Sequence, residues 1–149
     1  MDNTPSIFSI LLIDEDTSET QTIRTILKSL TDAPFSIDHV LKCSQALGLL
    51  RERRYELVLL EKQLSQRISA RFSVPMIKAA IQLAPIAIMS KYDTSFSHAD
   101  PVEHGVDYVI DKANMADFLR SQLNYLLGIE ARPYTTSRPI NVGGALTSK

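Results

Sequence analysis

The sequence predicts an α/β domain of three layers: a doubly wound, five-stranded parallel sheet with helices on both faces. Three observations carry that prediction. Short, almost unbroken apolar runs recur along the chain, as strands buried on both faces require. Between them lie segments with an apolar residue every three or four positions, the period of an amphipathic helix. The two kinds of segment alternate at the spacing of repeated βαβ units, which place helices on both sides of a parallel sheet.

The elements follow in order. "FSILLI" (Phe8 to Ile13) is the first strand. Asp16 with Glu19 three residues later has the pattern of a capping pair, opening a helix striped by Ile23, Ile26, Leu27 and Leu30. "FSIDHVL" (Phe35 to Leu41) is the second strand, followed by a helix with Ala46, Leu47 and Leu50 on one face. "LVLL" (Leu57 to Leu60) is the third strand. An irregular stretch follows Glu61, and then "VPMIKAAIQ" reads as a helix with Pro75 in its first turn, where a missing N–H is tolerated. "PIAIMS" (Pro85 to Ser90) and "DYVID" (Asp107 to Asp111) are the fourth and fifth strands. Between them Pro101 restricts "SFSHADPVEHG" to a single helical turn before Gly105. The last helix starts near Asn114, carries Met115, Phe118, Leu119, Leu123, Leu126 and Leu127, and stops at Gly128. Residues 129–149 hold two prolines and two glycines without periodicity, so they read as a linker or flexible tail after a domain of residues 6–128.

Composition narrows the function. A chain of 149 residues is one domain. Sixteen basic residues against 17 acidic ones give a net charge of −1, which offers no field for nucleic acid or an anionic membrane. No apolar stretch approaches membrane-spanning length, and the N-terminus lacks the basic start of a signal peptide. The single cysteine, Cys43, excludes an internal disulfide framework and fits a reducing cytoplasm; it is expected to pack rather than react. There is no phosphate-binding glycine loop, nucleophile elbow or zinc motif, and His39, His98 and His104 lack ligand spacing. The chain reads as a binding module, not an enzyme.

In open parallel sheets ligands sit outside the carboxyl ends of the strands. Here those ends carry Asp14, Glu15 and Asp16, then Glu61, then Ser90 and Lys91, then Asp111 and Lys112. Carboxylates gathered there repel one another unless a cation is present. A hard divalent cation such as Mg²⁺ would relieve the repulsion, and so would the ammonium of Lys112.

The order and spacing of these residues resemble the receiver domain of two-component response regulators, a flavodoxin-like fold. "ILLIDED" is similar to that family's first strand with its acidic pair, here Asp14 and Glu15. "ALGLLRERRYELVLLEKQLS" is similar to its second helix and third strand, "PIAIMSKYD" to the fourth strand with its switch hydroxyl, here Ser90, and "GVDYVIDKA" to the fifth strand ending in its lysine, here Lys112. The resemblance covers Ser6 to Gly128 and implies a signalling switch. In such domains an aspartate ending the third strand takes a phosphoryl group from a histidine kinase, with Mg²⁺ on the acidic pair. The lysine and the hydroxyl then contact that group.

This chain departs from the pattern where the chemistry would occur. Glu61 stands at the phosphoacceptor position, Val109 at the aromatic switch position, and Ala113 where a proline usually follows the lysine. Tyr108, next to Val109, lies on the other strand face and cannot replace it. Ser65 stands where a proline is common. Glu61 carries one methylene more than aspartate, a shift of up to about 1.5 Å in its oxygens. Phosphoryl transfer depends on positioning, and a misplacement of ~1 Å costs about 10²-fold. The expectation is therefore a pseudo-receiver that is not phosphorylated in the usual way, with Glu61 either paired to Lys112 or imitating the phosphorylated state. The alternative is a phosphorylation-competent switch using Mg²⁺, for which the resemblance implies Asp14, Glu15 and Glu61 as ligands. Partners would be proteins, a histidine kinase or an output domain of a longer chain. A homodimer through the fifth strand and last helix would use Phe118, Tyr125, Leu126 and Leu127 as exposed apolar points; Arg51, Arg53 and Arg54 are most simply the solvated end of the second helix, although with Lys62, Arg67 and Arg71 they could form a basic docking patch.

Overall fold

The computed structural model describes residues 8–64, 68–80, 84–90 and 101–126. Five strands form one parallel sheet: β1 (Phe8–Ile13), β2 (Phe35–Val40), β3 (Leu57–Glu61), β6 (Ile86–Ser90) and β7 (Tyr108–Asp111), in the order β2-β1-β3-β6-β7. β1 pairs with β2 on one side (Ile10 opposite Ile37) and β3 on the other (Ile10 opposite Leu57), and β3 leads on to β6 and β7. The chain thus starts near the middle of the sheet, winds to one edge, and returns to build the other. That reversal opens a crevice at the carboxyl ends of β1 and β3.

The unbroken apolar runs do what their pattern predicts. β1, β3, β6 and β7 are buried on both faces, because successive side chains point to opposite layers and both layers are covered. On one face Leu11, Ile13, Val58, Leu60, Ile88 and Val109 pack under α2 (Cys43–Glu52) and α3 (Ala70–Ala80). On the other, Ile10, Leu12, Leu57, Leu59, Met89 and Ile110 pack under α1 (Glu19–Leu30) and α4 (Met115–Leu126). Tyr108 and Val109 lie on opposite faces as period two demands, Tyr108 meeting Phe118 edge-on with ring centroids 5.1 Å apart.

Several expectations are corrected. Phe118 is fully buried, not an exposed docking point, because it belongs to the Met115, Phe118, Leu119, Leu123 stripe that covers the sheet. Tyr125 and Leu126, one turn further on, are 45% and 48% exposed, whereas Leu127 lies outside the described residues. Pro75 sits inside α3, which begins at Ala70, so the helix loses one internal hydrogen bond there. Asp16 and Glu19 do not form a capping pair. Ser18 is the N-cap of α1, and the Asp16 carboxylate accepts from the Ser18 backbone N–H (3.0 Å) and hydroxyl (2.6 Å). The stretch after Glu61 holds a short antiparallel pair, β4 (Gln63–Leu64) with β5 (Ile68–Ser69); Ser65, between them, lies outside the described residues, as do Lys91 and His98. Before β7, Pro101–His104 forms one 3₁₀ turn, closed by Gly105 at φ 71°. A Cβ there would meet Val74 at an ordinary 3.6 Å, so the backbone angle rather than space favours glycine.

Candidate functional site

The carboxyl ends of β1, β3 and β7 bring three of the sequence-selected residues together, Asp14, Glu61 and Lys112. Parallel register aligns Glu61 with Met89 and Ser90 with Asp111, so the chain leaves these strands at one level. Lys112 follows directly on β7 and opens a 3₁₀ turn (Lys112–Asn114) whose second N–H group, that of Ala113, donates to the Asp111 carboxylate at 2.9 Å. The described backbone contains no cis peptide, so Lys112–Ala113 is trans as expected.

Lys112 is the centre of the site. Its Nζ donates to Asp14 Oδ2 at 2.8 Å and lies 2.6 Å from Glu61 Oε1 and 3.4 Å from Glu19 Oε2. All four side chains are largely enclosed, at 9% exposure for Lys112 and between 4% and 16% for the acids. Burial alone would push the ammonium toward its neutral form. The hydrogen bonds and charges of Asp14 and Glu61 outweigh that, leaving the Lys112 pKa above its ordinary value. Three carboxylates against one ammonium still leave local negative charge in excess.

Glu19 is the residue that sequence reasoning missed. Its spacing from Asp16 imitates a capping box, and nothing local reveals that the first turn of α1 faces the end of β7. Asp14 is held at three points besides Lys112. Its Oδ1 accepts from Asp16 N at 2.9 Å, its backbone N–H donates to Val40 O at 3.1 Å, and its carbonyl takes a hydrogen bond of 2.6 Å from His39 Nε2. The other ring nitrogen of His39 meets Thr20 Oγ1 at 2.7 Å. Because a carbonyl only accepts, Nε2 carries a hydrogen, and His39 braces the acidic loop from the neighbouring strand.

The remaining candidates stand apart. Glu15 is exposed, next to the enclosed Asp14. Val109 is buried in the layer under α3. Ser90 is 4% exposed, and its hydroxyl has no hydrogen-bond partner among the described residues, so Glu61 does not reach it. Cys43, partly buried at the start of α2, packs against the adjoining core as expected. Burial raises its pKa, against a hydrogen bond with Ser73.

The arrangement does not fit Mg²⁺ as it stands. Asp14 and Glu61, two of its expected ligands, turn an oxygen each onto the Lys112 ammonium. Among the described residues no group of three or more His, Cys, Asp or Glu side chains is placed to hold a metal ion. Nor is any helix among them long and apolar enough to cross a membrane.

No protein-family model matches the chain, and no curated protein does. Solved structures do. A two-component response regulator from Clostridium difficile is 26% identical with a TM-score of 0.61, over 80% of this chain and 95% of that one. The receiver domain of a putative Luxo repressor protein from Vibrio parahaemolyticus is 18% identical with a TM-score of 0.65, over 83% and 92%. The receiver domain of a sensor histidine kinase from Pseudomonas aeruginosa, with magnesium ion coordinated in its active-site cleft, is 18% identical with a TM-score of 0.63, over 83% and 99%. The sheet order, the two helical layers and these likenesses agree: the chain has the flavodoxin-like fold of response-regulator receiver domains.

Proposed function

We propose that the chain is a cytoplasmic receiver-fold module of two-component signalling, spanning residues 6–128, in which an internal ion pair replaces phosphoryl switching. It works by protein–protein contact, with a histidine kinase or with an output domain that residues 129–149 would link to it. The observation that carries this reading is the 2.6 Å contact between Glu61 and Lys112. The carboxylate at the phosphoacceptor position already holds the cation that would otherwise meet an incoming phosphoryl group. Mimicry of the phosphorylated state is less well supported, since it asks Glu61 to engage Ser90 as well as Lys112, and the Ser90 hydroxyl is unpartnered among the described residues.

That same hydroxyl favours a second reading, a phosphorylation-competent switch in which Ser90 awaits an oxygen. Intact mass after incubation with acetyl phosphate and Mg²⁺ separates the two. The first reading expects no adduct on the parent chain and a fraction of Glu61→Asp gaining about 80 Da, because the shorter side chain restores the acceptor's reach. A stoichiometric, acid-labile adduct on the parent chain establishes the second.

A further inference from the structure

A cleft of about 630 Å³ lies at the opposite, amino-terminal edge of the sheet, where β3, β6 and β7 begin. That volume falls within the roughly 300–1,000 Å³ of sites that take small molecules. One wall is the end of α2 with Tyr55 after it, and the other is the end of α4, with Gln122 and Tyr125. Tyr108, the first residue of β7, lines it as well.

The charges around the cleft cancel. Arg51 and Arg54 stand against Glu52 and Glu56, and the guanidinium of Arg53 is held by Asp38 Oδ2 at 2.9 Å. A charged ligand would leave water here with no net counter-charge to meet it, so the rim favours a neutral one. Three tyrosines supply flat apolar contact. The Tyr55 hydroxyl is engaged by Asp38 Oδ2 at 2.6 Å, so Tyr55 offers the cleft its ring. The Tyr108 ring stands edge-on to Phe118, and the Tyr125 ring is 45% exposed. Such rings pair well with another ring, offset or edge to face.

One polar group of the lining is unmatched. Gln122 is only 3% exposed, and its Nε2 has no hydrogen-bond partner among the described residues. Native structures leave few buried donors without an acceptor, and each such group needs a physical reason. The nitrogen is shielded from water, and the soft terminal torsion of glutamine lets it turn toward a guest in the cleft. Apolar, aromatic walls with a single placed donor are the parts from which small-molecule sites are built.

We propose that this cleft binds a small, neutral aromatic molecule bearing a carbonyl group, its ring against Tyr55 and Tyr125 and its carbonyl oxygen accepting from Gln122 Nε2. The proposal does not depend on the state of Glu61. The test is a titration of the ¹⁵N-labelled chain, followed by NMR, with three probes that share one ring: benzamide, benzoate and benzylammonium. Benzamide is expected to shift the amides of residues 50–56, 108 and 122–126 saturably, in the millimolar range that suits so small a probe, and without dependence on salt. Gln122→Met keeps the length of the side chain, removes the donor and should weaken benzamide binding about fivefold. Tyr125→Ala, at an exposed position, should weaken it severalfold. Circular dichroism checks that both variants fold. The proposal is overturned if benzamide gives no saturable shifts, if benzoate or benzylammonium binds as tightly, or if either variant binds benzamide as the parent does. Unchanged binding by Gln122→Met would leave an ordered water as the acceptor that Nε2 meets.

Discussion

The two ends of the sheet handle charge in opposite ways. At the carboxyl-terminal end, Lys112 and its acids are enclosed and held on one another, with Lys112 only 9% exposed. At the amino-terminal end, Arg53 pairs with Asp38 while its side chain stays 58% exposed, and Tyr125 and Leu126 stand in the open. The place where receiver-fold chemistry is expected is closed on itself, and the plain scaffold end offers a surface. Enclosed charges depend strongly on their partners, because removing one leaves the others unpaired out of water. Exposed ones depend on them weakly, because water and salt do most of the work.

Replacing Lys112 should break that contrast most severely. Lys112→Met leaves Asp14, Glu19 and Glu61 without their cation and is expected to cost about 3–5 kcal/mol by urea unfolding. The carboxylates it frees should then recruit a divalent ion, so Mg²⁺ should raise the midpoint of the variant and leave the parent's unchanged. Equal stability of parent and variant would mean that the cluster is not what the structure describes.

Alkaline titration sharpens the same end. The folded-state pKa of Lys112 lies above its unfolded value, so its contribution is fully present below about pH 10.4 and fades as pH rises through the folded value. The difference in stability between parent and Lys112→Met should therefore be constant through neutral pH and shrink only above that point. A difference that already shrinks between pH 6 and 9 would contradict the assignment.

At the other end the effects should be small. Tyr55→Phe removes the hydroxyl's bond to Asp38 from a largely buried ring and is expected to cost about 1 kcal/mol. Arg53→Ala loses a solvent-exposed pair, worth about 0.2–1 kcal/mol and less in high salt. A cost for Arg53→Ala near that of Lys112→Met would erase the distinction between the two ends.

Much of this fold is legible in sequence because its signals are local. "FSILLI" and "LVLL" are apolar on both faces, and the structure buries them on both. Asp14, Glu61, Ser90 and Lys112 could be placed at one edge because a parallel sheet puts all strand ends of one kind together. Two of the failures share one physical cause, long-range contact. Glu19 matched a capping pattern four residues long, whereas its partner is 93 residues away in sequence. Phe118 sits in an apolar stripe that the sequence also shows, but how far that stripe's buried face extends is set by the sheet beneath it. The β4–β5 pair is too short to have a period. Pro75 obeys the first-turn rule only if the helix begins at Val74, and α3 begins four residues earlier.

The central claim is that Glu61 and Lys112 hold each other. A double-mutant cycle over Glu61→Gln and Lys112→Met, read by urea unfolding at neutral pH, isolates that interaction from whatever each substitution does alone. An enclosed pair at 2.6 Å predicts a coupling of about 1.5–3 kcal/mol. A coupling of zero would contradict the account and leave Glu61 open to some other role at the strand end.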